Sequence, residues 1–329
     1  MTARERVMAA IRFENPDRCP LDVSLMPAAF LVHGQRLVDL LARHPTDIER
    51  PASHTSALRG WDPDSLDPRY KLGLFTDEWG STWNNTNLGY QGRVESYALD
   101  DWDALVDFVP PPIPEGVGSR RDSDQFRLAA GGNFFHRMCF LRSMDKVFMD
   151  IVDGAPEIYR LRAILLDFFR RQVERECAKD VDGIWFWDDF GTQRQLMMSL
   201  DMWRSFIRPV YEELFGICQA ARKHIFFHSC GFVVDVIDDL IEMGVDALNS
   251  QTWLMGPEFL GERYRGRLTF WGDMCWQTTV PHGTPDDIRA AAARMKHCLA
   301  TPSGGLIGVA QMDGQTPFEN IEAGLTAWN

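Results

Sequence analysis

His228-Ser229-Cys230-Gly231 follows directly on the apolar run Ile225-Phe226-Phe227. Where a buried strand meets a loop, residues two apart face the same side, so His228 and Cys230 present a nitrogen and a sulfur donor together. Zn²⁺ accepts such ligands, and a catalytic zinc needs three protein donors with a fourth position left open. An ion held this way activates a thiol or polarises an oxygen at neutral pH. The same tetrapeptide also suits a buried Cys beside a hydrogen-bonded His, so its surroundings must decide.

Other polar residues stand at comparable places. Trp185-Phe186-Trp187 leads into Asp188 and Asp189, then Phe190-Gly191-Thr192-Gln193. Asn249 and Gln251 follow Leu248, Asp273 and Cys275 follow Trp271, and Gln311 and Asp313 follow the last apolar run. Trp187, Trp253 and Trp276 lie among them, and aromatics beside carboxylates suit a pocket for a planar or apolar molecule. Adjacent carboxylates point to opposite sides of a strand, so Asp188 and Asp189 divide their roles. Asp189 is expected in the pocket, with its neighbour capping a turn or pairing with an arginine such as Arg194. Glu78, within Thr76-Asp77-Glu78-Trp79-Gly80, is a further candidate substrate contact. Cys19, Cys139, Cys177, Cys218 and Cys298 sit in apolar or helical contexts and read as packing residues.

These residues need a scaffold that brings strand ends together. Gly183–Trp187, 223–227, 245–248, 268–271 and 304–309 read as strands. Helical patterns over 203–221, 233–243, 284–299 and 317–328 alternate with them. Gly244 closes one helix, and Thr284-Pro285-Asp286-Asp287 opens another with a cap, a first-turn proline and acidic residues facing the dipole. This alternation indicates parallel βα units. No glycine-rich phosphate fingerprint follows any strand, which favours a (β/α)8 TIM-type barrel over a dinucleotide fold. In that fold the C-terminal strand ends form the active site. Upstream, residues 4–13 read as a helix laid across the barrel, 36–43 as a second and 160–177 as a third. The proline run at 110–114 is a surface excursion within a single domain spanning 1–329.

Composition narrows the function. The 329 residues are 45% hydrophobic, enough for one large barrel. With 34 basic against 47 acidic residues, a net of −13, a nucleic-acid partner is not expected. No apolar run is long enough to span a bilayer. Seven cysteines spread thinly along the chain do not form a disulfide framework, and a reduced, cytoplasmic setting is expected.

Phe227-His228-Ser229-Cys230-Gly231, followed by the segment from Asp238 to Asn249, resembles the uroporphyrinogen decarboxylase superfamily. Gly283-Thr284-Pro285, Glu319-Asn320-Ile321, Arg4-Glu5-Arg6-Val7 and Asn15-Pro16-Asp17-Arg18 are similar to other signatures of that superfamily, so the resemblance spans nearly the whole chain. True porphyrinogen decarboxylases carry arginines near the N-terminus that clamp the substrate carboxylates. The corresponding stretch here, 21–30, has none. The His-x-Cys pair, with Asp188 to Gln193, resembles instead the zinc methyltransferase branch. That resemblance implies a zinc ion and methyl transfer between a small, methoxylated or methylated compound, or a thiol or folate acceptor, and a corrinoid. The corrinoid would be carried by a separate partner protein, since no Asp-x-His-x-x-Gly segment occurs here.

The branch takes a third zinc ligand, commonly Cys, just after the last strand. Here 304–313 has neither Cys nor His, so Cys275 is the expected substitute, with Gln311 or Asp313 as oxygen alternatives. The resemblance thus implies metal ligation by His228, Cys230 and Cys275, and catalysis by Asp189, His228 and Cys230. Trp187, Asp188, Gln193, Asn249, Gln251, Glu78 and Trp276 are expected around the substrate. A metal-free decarboxylase or lyase, or a barrel that only binds a small ligand, are the alternatives. A homodimer is left open.

Overall fold

The computed structural model describes residues 1–51, 66–116, 118 and 123–328. Their strands are β1 (Leu21–Leu25), β2 (Ile48–Glu49), β3 (Gly73–Thr76), β4 (Thr82–Asn85), β5 (Arg93–Ser96), β6 (Phe126–Gly132), β7 (Gly183–Trp187), β8 (His224–Ser229), β9 (Ala247–Ser250), β10 (Thr269–Gly272) and β11 (Leu306–Met312). Eight of them form one sheet in the order β1-β11-β10-β9-β8-β7-β6-β2, and each pair with a recorded register is parallel. The two ends of that sheet meet at Asp47, whose N–H donates to Leu21 O at 2.7 Å while its carboxylate accepts from Leu21 N–H at 2.7 Å. The result is a nearly closed (β/α)8 barrel.

Alternation along each strand decides what fills it. Phe126 and Leu128, Trp185, Phe226, Ala247, Trp271, Ile307 and Val309 form one buried cluster in the lumen. The intervening residues, such as Ile184, Phe186, Ile225 and Phe227, pack outward against the helices. Helix Ala3–Arg12 closes the lower end, inserting Val7, Ala10 and Ile11 into the lumen cluster. A capping box between Thr2 and Glu5 starts this helix, and a left-handed Phe13 ends it. The N-terminal region is therefore helical, as expected, and also supplies β1 and β2.

Several expected bounds shift downstream. The strand expected at 223–227 runs over His224–Ser229, so His228 belongs to it. The strand expected at 304–309 is Leu306–Met312, because a tight turn with Thr301 N–H donating to Gly304 O comes first. Gln311 is thus within β11. The single helix expected over 203–221 starts earlier, with a short α-helical turn at Leu200–Met202 capped by Ser199, passes through a π-helical turn at Trp203–Ile207 and is α-helical again from Arg208. Pro209 has no N–H for the ladder, and a register skip there accommodates it. The chain between β2 and β6 holds a separate antiparallel sheet, β3-β4-β5, which sits over the barrel mouth.

Ile11 is a direct probe of the closing helix. Ile11→Ala is expected to cost about 2–4 kcal/mol by urea denaturation, with an unchanged denaturant slope; a cost near zero would mean the helix does not seal the barrel.

Candidate metal centre at the barrel mouth

Strand register assembles the site. Trp187 pairs with His228, and His228 pairs with Asn249, so these three stand side by side on the lumen face. Two residues further on the same face come Asp189, Cys230 and Gln251. His228 Nε2 lies 3.3 Å from Cys230 Sγ and 3.4 Å from Asp189 Oδ1. The Cys230 N–H donates to that same Asp189 oxygen at 2.8 Å. One nitrogen, one sulfur and one carboxylate oxygen thus lie within 4.8 Å of one another, a donor set that suits zinc.

The imidazole is fixed from behind. Asn249 Nδ2 donates to Trp271 O at 2.5 Å and to Asp273 Oδ1 at 2.5 Å. A carbonyl oxygen can only accept, so the amide nitrogen must face it and Asn249 Oδ1 must face His228 Nδ1. The proton of His228 therefore sits on Nδ1, and Nε2 is the atom offered to a metal. A carbonyl partner on the far nitrogen is the usual support of a metal-binding histidine.

Charge follows from this packing. Burial disfavours a charged His228, but Cys230 and Asp189 outweigh it and raise the imidazole well above its ordinary value. Burial pushes Asp189 up, yet His228, His136 and the Cys230 N–H hold its carboxylate well below the usual range. The Cys230 thiol is raised by burial against the pull of His228. His228 Nε2 and the Asp189 carboxylate are thus paired across the site, and a divalent ion bound there would draw on both atoms.

The two adjacent carboxylates do separate. Asp188 is fully buried and turned from the mouth, accepting from the N–H groups of Phe135 (2.5 Å) and His136 (2.7 Å) and from the Tyr211 hydroxyl (2.5 Å). It caps helix Phe134–Arg142, and burial pushes its pKa up to about 6. Arg194 is exposed and is not its partner. The same cap places His136, whose Nε2 lies 3.5 Å from the outer oxygen of Asp189. Sequence reasoning missed His136, because the strand that precedes it was not recognised.

Other expected residues fall into place differently. The Gln251 side chain accepts from the Gly231 N–H at 3.1 Å and braces the loop that carries Cys230. Cys275 lies outside the donor group, with Sγ 3.1 Å from Thr278 Oγ1. Asp313 accepts from Gln315 N–H and the Thr316 hydroxyl, shaping the turn after β11. Gln311 continues the lumen face of Ile307 and Val309, and its Oε1 is buried with no partner among the described residues. A cavity of about 960 Å³ opens from Asp189, His228 and Trp187 outward to Glu78 beneath the small sheet. Gln193 is exposed and Trp276 half-buried, and neither lines it.

No family model matches the chain, and no curated protein matches it. Among solved structures, a methyltransferase from Methanosarcina mazei superposes with a TM-score of 0.69 at 16% identity, covering 99% of this chain and 98% of that one. The likeness is one of fold. A B12-independent methionine synthase from Shewanella sp. W3-18-1, in complex with selenomethionine, gives 0.48 at 12% identity, covering 95% of this chain and 93% of that one. That similarity is too remote to argue from.

Two outcomes test this geometry. Gly231 has φ +84°, and a Cβ there would meet the Gly191 carbonyl at 2.2 Å, where the loops after β7 and β8 cross. Gly231→Ala is expected to destabilise the fold by roughly 3 kcal/mol in chemical denaturation; a neutral result would contradict the close crossing. Burial pushes Asp273 up to about 6, above its unfolded value of 3.8, so the folded state holds this proton more tightly. Relative to Asp273→Asn, wild type should lose roughly 3 kcal/mol of stability as pH rises from about 4 to about 6. A difference that is flat across that range, or of opposite slope, would sink the assignment.

Proposed function

We propose that this chain is a zinc-dependent methyltransferase, in which His228, Cys230 and Asp189 hold the ion at the mouth of the barrel. The observation that carries the proposal is the convergence of His228 Nε2, Cys230 Sγ and Asp189 Oδ1, with the imidazole tautomer set by Asn249. The end-to-end likeness to a methyltransferase fold is consistent with it. Asp189 takes the place that the sequence left to Cys275. The methyl group would pass between a small substrate, or a thiol or folate acceptor, and a corrinoid on a separate protein.

Zinc bound there would supply Lewis acidity, polarising an ether oxygen or favouring the thiolate of a thiol. The chain's own residues do the rest. Trp187 lines the cavity beside the donor group. Asn249 keeps His228 in one orientation, and Gln251 keeps the Cys230 loop against β9. His136, beside the outer oxygen of Asp189, is placed to hydrogen-bond a substrate heteroatom arriving at the site.

Metal content per chain tests the proposal. About one zinc in wild type is expected, lost in His228→Ala, Cys230→Ala and Asp189→Ala and kept in Cys275→Ala. Asn249→Ala should retain the fold but bind zinc about 10–100-fold more weakly. Loss in Cys275→Ala with retention in Asp189→Ala would overturn the ligand set. Turnover that survives complete chelation would instead favour a metal-free lyase.

A further inference from the structure

The same cavity is lined, beyond the residues already described, by Asp77 and Arg137. Asp77 is buried, and its carboxylate already accepts four hydrogen bonds. Oδ1 takes the N–H groups of Trp79 (3.0 Å) and Ser81 (2.9 Å), and Oδ2 takes Trp83 Nε1 (3.0 Å) and Arg137 Nη1 (3.1 Å). Arg137 is held flat as well, its guanidinium 4.7 Å from the Trp79 ring and 5.6 Å from the Phe140 ring. Its Nε and Nη2 have no partner among the described residues, and neither is sealed within the protein. Burial lowers the pKa of this guanidinium against the pull of Asp77, its hydrogen-bonded partner, and of Glu78, which acts on it only through its charge. What it lacks is a planar acceptor for the donors that face the cavity.

We propose that this part of the cavity recognises the carboxylate of a small aromatic substrate, with Arg137 as the residue that reads it. His136 and Arg137 are neighbours on helix Phe134–Arg142. Successive helical residues diverge by about 100°, so one reaches Asp189 while the other reaches Asp77. Both parts of the site are thereby fixed by one rigid element. Trp83, edge-on to Phe140 with ring centres 4.8 Å apart, gives this part an aromatic wall for a planar ring. Arg69 also lines the cavity but is engaged in both directions by Asp67, at 3.0 and 2.8 Å, so its charge is answered. Glu78, exposed on the same cavity, opposes an incoming anion and keeps the affinity modest. The proposal rests on the methyl-transfer reading only for which end of the substrate reacts.

Binding of benzoate, its neutral isostere benzamide, and benzenesulfonate to the full-length protein stripped of metal provides the test, read by calorimetry. Benzoate is expected to bind at least about tenfold more tightly than benzamide. It should also bind more tightly than benzenesulfonate, whose tripod of oxygens matches the guanidinium fork less well. Arg137→Met should remove the benzoate preference, and Arg137→Lys should restore only part of it. Glu78→Gln, a change on an exposed side chain, should tighten benzoate at low salt and leave benzamide unchanged; it keeps the test open if Arg137→Met does not fold. Equal binding of benzoate and benzamide, no benzoate binding, a preference for sulfonate, or no effect of either charge change would overturn the proposal. Because no metal is present, failure here leaves the zinc site standing, and a chain that holds no zinc still answers the question.

Discussion

The site depends on the orientation of one amide. Asn249 cannot flip without placing its carbonyl oxygen against that of Trp271, so its Oδ1 stays on His228 Nδ1 and the lone pair of Nε2 stays on the side of Cys230 and Asp189. That single constraint draws on three strands. β9 supplies the amide, β8 the imidazole, and β10 the carbonyl, with the Asp273 carboxylate just past its end. A slip of one residue in either pairing would turn a side chain out of the lumen and undo the arrangement. The parallel register of the barrel is thus part of the chemistry.

Around this point, the buried carboxylates hold the protein together more than they face the cavity. Asp188 satisfies two helix-end N–H groups and a tyrosine hydroxyl. Asp47 bridges the first two strands while answering Arg6 and Arg18. Asp22 holds Arg50, which lies between the rings of Trp185 and Trp271 in the lumen. Asp77 fixes Arg137 and Trp83. Removing such an acceptor strands several buried donors at once, so these positions are costly to change for reasons of packing. Asp189, half-exposed at the mouth, is the member of this set that remains open to a ligand.

Much of this was legible in the chain. β7 and β8 are continuous apolar runs ending in polar residues, which is what a strand buried on both faces looks like, and their ends carry Asp189, His228 and Cys230. β6 was not legible. It ends in Ala129-Ala130-Gly131-Gly132, and a Cβ at either glycine would collide with Phe186 at 2.5 Å or Phe169 at 2.3 Å. The small residues are required by rings brought in from distant parts of the chain, and no local pattern announces them. Missing β6 concealed His136 and Arg137 just beyond it. The polar strands β3, β4 and β5 escaped for a related reason, since Thr82-Trp83-Asn84-Asn85 has little apolar alternation. Cys275 was drawn toward the site because it follows the end of a neighbouring strand, but it stands three residues beyond the last residue of β10.

X-ray absorption at the zinc edge, on protein loaded with one equivalent, tests the central claim most directly. With His228, Cys230 and Asp189 as ligands, the spectrum should fit a single sulfur at about 2.3 Å with the remaining scatterers nitrogen or oxygen. Asp189→Cys should convert it to two sulfurs. A wild-type spectrum that already requires two sulfurs, or one with none, would contradict the account.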